Sequence, residues 1–172
     1  MSKVLVAYFS HEGMNYLGGK IAELKKGNTR KVAEKIAVRT GGDLFRIETV
    51  EKYPYEYREC VEQAKREAAE DARPRLAKCA DVSLYDHIFL GYPNWCGTMP
   101  KPVWTFLSGG DFSGKHIYPF CTHEGSGEGR SVKDMEMLCN GAEISRVLAV
   151  RGGMADSSDG AIDRWLEDVF TR

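Results

Sequence analysis

The sequence predicts an α/β fold of three layers, in which helices cover both faces of a doubly wound, five-stranded parallel sheet. Short apolar runs rich in β-forming residues alternate along the chain with segments of helical periodicity. The connections are long enough for right-handed helical crossovers, and no hairpin signal joins two strands. At 172 residues, the chain is predicted to form a single domain over 1–172.

The predicted strands are nearly all apolar, as expected for strands that are covered on both faces. "KVLVAYF" is the first of these runs, and "HIFL" opens the central one. In chain order, the five predicted strands span Lys3–Phe9, Asp43–Val50, 87–92, Lys115–Cys121 and 145–152.

The predicted helices differ in how much apolar surface they carry. In the first, Val32 and Ile36 recur at helical spacing, and the pair Gly41-Gly42 ends the pattern. Residues 56–72 are rich in charges and poor in large apolar side chains, which is typical of an exposed helix. Three further helices are predicted over 101–109, 130–140 and 158–170.

Composition argues against several classes of protein. The chain has 24 Lys and Arg against 25 Asp and Glu, a formal net charge of −1, whereas a nucleic-acid-binding face would be basic. The first apolar run is too short for a signal peptide, and no run reaches transmembrane length. A cytoplasmic protein that contacts neither nucleic acid nor a membrane is therefore expected.

The cysteines and histidines predict neither a disulfide framework nor a metal site. The chain has five cysteines, an odd number, and no CxxC pair, so reduced thiols are expected. The four histidines show no metal-binding spacing with the cysteines.

Three loops are predicted to meet at one edge of the sheet, because parallel strands end at the same edge and ligands bind there. The loops after the first, third and fourth predicted strands read "SHEG…GNT", "YPNWCGTMP" and "CTHEGSGEG". A simple turn has no need of a tryptophan, so Trp95 is predicted to face a ligand. Trp104 and Trp165 lie on apolar helical stripes and are predicted core residues.

The first loop carries the residue types of an anion site. Ser10 follows the first strand, and Gly27, Asn28 and Thr29 begin the next helix. Free backbone N–H groups at a helix start, together with short hydroxyl side chains, bind an anion without Lys or Arg. A simple N-cap is the commonest reason for residues such as Asn28 and Thr29 at a helix start, so this alternative stays open on the sequence alone.

The segments "VLVAYFS", "GNTRKVAEKIA", "GYPNWCGTMPKPVWTFL" and "FSGKHIYPFCTHEGSG" follow one another in this order over nearly the whole chain. With them the sequence resembles the flavodoxin-like family of small FMN-binding proteins. The resemblance implies the strand order 2-1-3-4-5, with the FMN phosphate on the first loop and the flavin ring between the other two. By matching position, it implies these cofactor-binding residues: Ser10, Gly27, Asn28 and Thr29 at the phosphate; Pro93, Asn94, Trp95, Cys96 and Gly97 along one side of the ring; and Thr122, His123, Glu124 and Gly125 in the third loop.

The sequence departs from the family's pattern in three ways. An insertion at about 11–26 lengthens the first loop and could bring Asn15 and Tyr16 near the phosphate. The third loop lacks the tyrosine that covers the second ring face in typical flavodoxins. The net charge of −1 also differs from their strong acidity. The last two departures favour a ring that is open to a hydride donor or a flat acceptor.

The resemblance implies an FMN-dependent electron-transfer protein. It would act as a carrier for a redox partner protein, or as a small NAD(P)H-dependent oxidoreductase of quinone-like acceptors. Because the flavin performs the chemistry, no catalytic side chain is predicted. The alternative is a flavin-free or flavin-sensing module that docks a partner protein through the Trp95 loop. Absorbance of the purified protein distinguishes the two.

Overall fold

The computed structural model describes residues 2–170, so the first residue and the last two residues of the predicted domain lie outside the described part. The strands are β1 (Val4–Tyr8), β2 (Gly13–Leu17), β3 (Lys20–Leu24), β4 (Asp43–Arg46), β5 (His87–Pro93), β6 (His116–His123), β7 (Glu143–Ile144) and β8 (Leu148–Arg151). The helices are α1 (Asn28–Thr40), α2 (Tyr57–Glu70), α3 (Lys101–Ser108), α4 (Ser131–Leu138) and α5 (Asp159–Val169).

The central sheet has the strand order β4-β1-β5-β6, and both β7 and β8 pair with β6. Every pairing in this sheet is parallel. β1 lies inside the sheet, with Leu5 opposite Asp43 on one side and opposite Ile88 on the other. When the sheet strands are numbered along the chain, this is the order 2-1-3-4-5, and the prediction is confirmed.

The last strand is divided in two. β8 lies within the predicted span 145–152, whereas β7 precedes that span and residues 145–147 between them belong to neither strand. β7 pairs with the start of β6, and β8 pairs with its end. Between them, the carbonyl oxygen of Arg146 accepts a 2.8 Å hydrogen bond from the indole Nε1 of Trp165. This carbonyl therefore bonds to α5 instead of continuing the sheet. The second strand is also shorter than predicted: β4 ends at Arg46, whereas the prediction extended to Val50.

Helices cover both faces of the sheet. α1 and α5 place Val32, Ile36, Ile162 and Trp165 in a core against one face. α3 and α4 form a second core with the other face, and Trp104 belongs to it. The three-layer prediction is thus confirmed, and so are the core positions of Trp104 and Trp165, which are 6% and 1% exposed.

The insertion in the first loop folds as an antiparallel hairpin of β2 and β3, so the expectation that the chain has no hairpin is wrong. Gly18 and Gly19 form its two-residue turn with φ angles of 60° and 86°. Such a turn needs positive φ at both central residues, which glycine adopts without strain. The hairpin is tied to the segment before α2, where the Tyr55 carbonyl oxygen accepts a 2.9 Å hydrogen bond from Met14 N.

α2 packs against the hairpin and α3. Cys60 is 5% exposed, and Tyr57, Val61 and Ala64 are half-buried. These positions form one helical stripe, so the prediction of an exposed helix is correct for the opposite face only. Within residues 2–170, no helix has both the length and the hydropathy that crossing a membrane requires.

Side-chain packing leaves no room for a Cβ at Gly91, near the end of β5. A Cβ at this position would overlap with the ring of Phe120 on β6, whereas a Cβ on Gly153 would meet no atom within 4 Å. We expect Gly91→Ala to lower the free energy of unfolding by about 1–3 kcal/mol through overpacking. Urea denaturation of the apoprotein measures this change.

Gly153→Ala is the matched control and is expected not to lower the free energy of unfolding. Removing part of the ring with Phe120→Leu should recover some of the stability lost in Gly91→Ala, because it relieves the same overlap. Equal stability of the two single alanine variants would contradict the packing argument.

Candidate functional site

The loops after β1, β5 and β6 meet at the carboxyl edge of the sheet and line a cavity of about 340 Å³. Hydrogen bonds continue the sheet into these loops, from Phe9 N to Gly91 O at 3.0 Å and from Asn94 N to Thr122 O at 2.9 Å. The predicted site residues that line the cavity are Ser10, Asn28, Thr29, Pro93, Asn94, Trp95, Cys96, Thr122, His123 and Glu124. The predicted site residues that lie in the same loops without lining the cavity are Gly27, Gly97 and Gly125.

The polar end of the cavity lies at the start of α1. Gly27 is the N-cap and has no side chain of its own to cap the helix, so the alternative that Asn28 or Thr29 is a simple N-cap is wrong. Ser10 Oγ accepts a 3.2 Å hydrogen bond from the backbone N–H of Arg30. A Cβ on Gly27 would overlap with this Ser10 oxygen, so glycine allows the two segments to approach. The first N–H groups of a helix lack intrahelical partners, and they begin here beside hydroxyl groups.

Thr29 and Thr122 connect the start of α1 to the end of β6. Their hydroxyl groups share a 2.7 Å hydrogen bond, and the two residues are 2% and 5% exposed. A hydroxyl group is one donor and accepts through two lone pairs. Whichever hydroxyl accepts in this pair therefore keeps its own O–H for a further acceptor, such as an anion in the cavity.

Trp95 lies in a tight turn of the second loop. Trp95 N donates to Thr98 O at 2.9 Å, and Thr98 N donates back to Trp95 O at 3.2 Å. Cys96 and Gly97, at the centre of the turn, have φ angles of 55° and 80°. Asn94 Oδ1 accepts a 3.0 Å hydrogen bond from Gly97 N. The backbone of this loop is thus fixed by its own hydrogen bonds, and Cys96 is exposed at its tip.

The Trp95 indole lines the cavity and also packs against the core. Its ring lies edge-on to Phe9 at 5.1 Å, to Tyr53 at 5.2 Å and to His11 at 6.0 Å between ring centroids. Edge-to-face contacts at these distances are favourable. Trp95 is half-buried as a result, and its orientation is determined by residues outside its own loop.

Asn94 joins the second loop to the third. Besides the backbone bond to Thr122, its Nδ2 donates to Gly127 O at 2.7 Å and to Ser126 Oγ at 3.2 Å. In the third loop, His123 Nδ1 accepts a 2.9 Å hydrogen bond from Gly125 N. The amide of Asn94 is therefore a structural link between two walls of the cavity.

Sequence reasoning missed the opposite wall, which the hairpin and α2 supply. Asn15 and Tyr16, anticipated as possible neighbours, do line the cavity. The residues that were missed are His11, Met14, Leu24, Tyr57, Cys60, Val61, Ala64, Lys65, Ser126 and Gly152. The i, i+3, i+4, i+7 spacing of those at 57–64 was the available signal. Burial, followed by the charge of Glu67, raises the pKa of Cys60 to about 12, so this wall carries a neutral thiol.

Arg30 and Arg46, near the polar end, are both paired with Glu12. Glu12 accepts a hydrogen bond from Arg46 and lies 3.4 Å from Arg30 Nη1. Glu124, in contrast, accepts a 3.1 Å hydrogen bond from the backbone N–H of Gly18 and has no ion pair with a cation of residues 2–170. The polar end therefore consists of hydroxyl and N–H groups with one carboxylate beside them.

This arrangement suits a ligand with an anionic end and a flat aromatic part. The helix start and the hydroxyl groups stabilise an anion, and the indole offers a flat apolar surface. Within the described range, no group of three or more His, Cys, Asp or Glu side chains could hold a metal ion.

Comparison with known protein families gives a match over almost the whole chain. The family model described as Flavodoxin matches residues 3–169. No curated protein matches the chain.

Solved structures of similar proteins come from several bacteria. A candidate flavoprotein from Bacteroides eggerthii is 26% identical, with a TM-score of 0.79 and 100% of each chain covered. Another, from Bacteroides uniformis, is 24% identical with a TM-score of 0.75, covering 96% of this chain and 98% of that one. A flavoprotein from Lactobacillus acidophilus in complex with FMN is 20% identical with a TM-score of 0.63, covering 96% and 99%. The chain belongs to the flavodoxin family.

Proposed function

We propose that the protein binds FMN in the cavity at the sheet edge and transfers electrons through it. One observation carries this proposal: a single cavity joins the paired hydroxyl groups at the start of α1 to the Trp95 indole. Membership of the flavodoxin family supports it, as does the FMN in the relative from Lactobacillus acidophilus. FMN supplies the redox chemistry, and the protein supplies binding, orientation and electrostatics.

The polar end fits the phosphate of FMN. Ser10, Asn28, Thr29 and Thr122 bring hydroxyl, amide and backbone N–H groups to one end of the cavity. At Gly27, a Cβ would collide with Ser10 Oγ, so this close approach requires glycine. A phosphomonoester carries about −1.5 to −2 charges at pH 7, which the positive end of the α1 dipole stabilises. These residues would hold the phosphate.

The Trp95 side of the cavity fits the flavin ring. The indole is held by Phe9 and Tyr53, so it can present a fixed surface to the ring. The third loop lacks a tyrosine to cover the second ring face. Across the cavity, α2 supplies Tyr57, Cys60, Val61, Ala64 and Lys65 instead. A ring between these walls would contact an aromatic surface on one side and a helix face on the other.

Gly97 and Gly125 would shape the loops around the ring. The N–H of Gly97 donates to Asn94 Oδ1, and the N–H of Gly125 donates to His123 Nδ1. Both N–H groups are therefore already satisfied within the protein. We propose that these glycines act through their positive φ angles, 80° and 131°, which place the neighbouring side chains on the cavity wall.

The carrier and reductase functions differ in what must reach the ring. A carrier needs only a docking edge, whereas a reductase must admit NAD(P)H and then a quinone-like acceptor. The near-neutral net charge of the chain and the lack of a ring-covering tyrosine in the third loop favour the reductase. The docking-module alternative is less favoured, because Trp95 is half-buried against Phe9 and Tyr53.

Purification and steady-state assays test the proposed function. We expect the purified or reconstituted protein to carry near-stoichiometric oxidised FMN by absorbance. With that holoprotein, NADH or NADPH should be oxidised in the presence of a benzoquinone if the protein is a reductase, and should not be oxidised if it is a carrier. A colourless protein that cannot be reconstituted with FMN would contradict both and support the docking module.

Thr29→Ala is expected to weaken FMN binding by about 1.5–3 kcal/mol, the value of a hydrogen bond to a charged group. Riboflavin lacks the phosphate, so its affinity should change much less. The lost Thr122 bond should also reduce apoprotein stability by about 1 kcal/mol. Fluorescence titration with both flavins and thermal melting of the apoprotein separate these effects.

Thr29→Ser keeps the hydroxyl group and serves as the control, so its FMN affinity should stay close to that of the native protein. If Thr29→Ala weakened FMN and riboflavin equally, the hydroxyl would act only through the fold.

Trp95→Phe is expected to weaken FMN binding by roughly 0.5–1.5 kcal/mol, the scale of an aromatic pair. It should also shift the flavin midpoint potential and reduce the quenching of protein fluorescence on FMN binding. Fluorescence titration and redox titration measure these changes.

The matched control is Trp104→Phe, which removes a buried indole that does not line the cavity. This variant should lose stability, because the Nε1 of Trp104 donates to Met99 O at 3.0 Å, and should keep FMN affinity. If Trp95→Phe left quenching, potential and affinity unaltered, Trp95 would not contact the flavin.

A further inference from the structure

We infer that Glu124 is a specificity-determining residue of the cavity, where its carboxylate selects against a flavin that carries a phosphate and leaves riboflavin binding unaffected. The inference rests on the proposed function, since it concerns the same cavity and the same cofactor class. It assigns to Glu124 a role opposite to that of the hydroxyl groups beside it, which favour the phosphate.

Glu124 reaches the polar end of the cavity from the third loop. Its Oε2 accepts the hydrogen bond from Gly18 N at the hairpin turn, at 3.1 Å. A Cβ on Gly152 would overlap with Glu124 Oε1 and would lie 2.7 Å from Nδ2 of Asn28. The Glu124 carboxylate and the Asn28 side chain therefore both lie beside Gly152. This arrangement places the negative charge near the proposed phosphate position.

Glu124 forms no ion pair within the described part of the chain. Among residues 2–170, no Lys, Arg or His nitrogen lies within ion-pair distance of its carboxylate. Arg151 lies near the same loop, since its Nη2 would be 3.2 Å from a Cβ placed on Gly125. It forms no ion pair with Glu124. Like charges repel, with an energy that solvent and salt reduce at an exposed position, so the carboxylate disfavours a phosphate dianion more than a neutral ribityl alcohol.

The hydrogen bond to Gly18 explains how the carboxylate stays in this place. It fastens the tip of the hairpin to the third loop and holds the half-buried side chain at the cavity wall. Glu124→Gln keeps an acceptor oxygen for this bond and removes only the charge. Glu124→Ala removes both the charge and the bond.

The test compares dissociation constants of FMN and riboflavin for the native protein and its variants by fluorescence titration of the apoprotein. We expect Glu124→Gln to bind FMN roughly tenfold or more tightly, with riboflavin affinity changed by less than about twofold. Glu124→Ala should also raise the preference for FMN over riboflavin, because it too removes the charge.

Glu128→Gln is the matched control: it makes the same substitution in the same loop, at a residue that does not line the cavity. Both of its dissociation constants should stay within about twofold of the native values, since its charge is farther from the phosphate. Thermal melting of each apoprotein checks that the variants are folded.

Three results would overturn the inference. An unchanged ratio of the two dissociation constants in Glu124→Gln would show that the charge has no selective effect. If Glu124→Ala raised the preference for FMN and Glu124→Gln did not, the change in preference would come from the lost bond to the hairpin and not from the charge. In both of these cases the native protein would still bind FMN, so the proposed function would not be contradicted. If the native protein bound neither flavin, the proposed function would fail and this inference with it.

Discussion

The parallel pairing of β1 with β5 and of β5 with β6 is the constraint on which the cavity depends. Parallel strands end at one edge, so the loops that follow begin about 4.8 Å apart. The hydrogen bonds from Phe9 N to Gly91 O and from Asn94 N to Thr122 O carry this spacing into the loops. Both sheet faces are buried, and a slip in register would turn core side chains to the wrong face. The loop positions are therefore set by the whole sheet.

The sheet edge alone would leave the cavity open on one side, and the hairpin with α2 closes it. The hairpin is fastened at its base by the ion pair of Glu12 with Arg46 and along one strand by the bond from Met14 N to Tyr55 O. Its tip is held by the Glu124 carboxylate. Because Gly18 and Gly19 at the tip are exposed, local opening of this wall begins there most easily.

The sequence was sufficient for the strands, the three layers and the inner wall, because apolar runs and loop order reflect burial in a parallel sheet. It was insufficient for the outer wall. The β2 and β3 runs, "GMNYL" and "KIAEL", mix polar and apolar residues and are half-exposed, so only the Gly18-Gly19 turn signalled a hairpin. On α2, charges on the exposed face masked the stripe that includes Cys60. The break between β7 and β8 depends on the distant Trp165 indole, which no local pattern could reveal.

The two walls of the cavity are connected through Tyr53. Its ring lies against Trp95 on the inner wall, and its hydroxyl donates to Glu67 of α2 on the outer wall. Burial, followed by the hydrogen bond and charge of Glu67, raises the pKa of Tyr53 well above its ordinary value, so the hydroxyl remains a donor at physiological pH. Separating the walls would break this partly buried, charge-assisted bond, which is stronger than one between neutral groups. Tyr53 therefore ties α2 to the Trp95 side of the cavity.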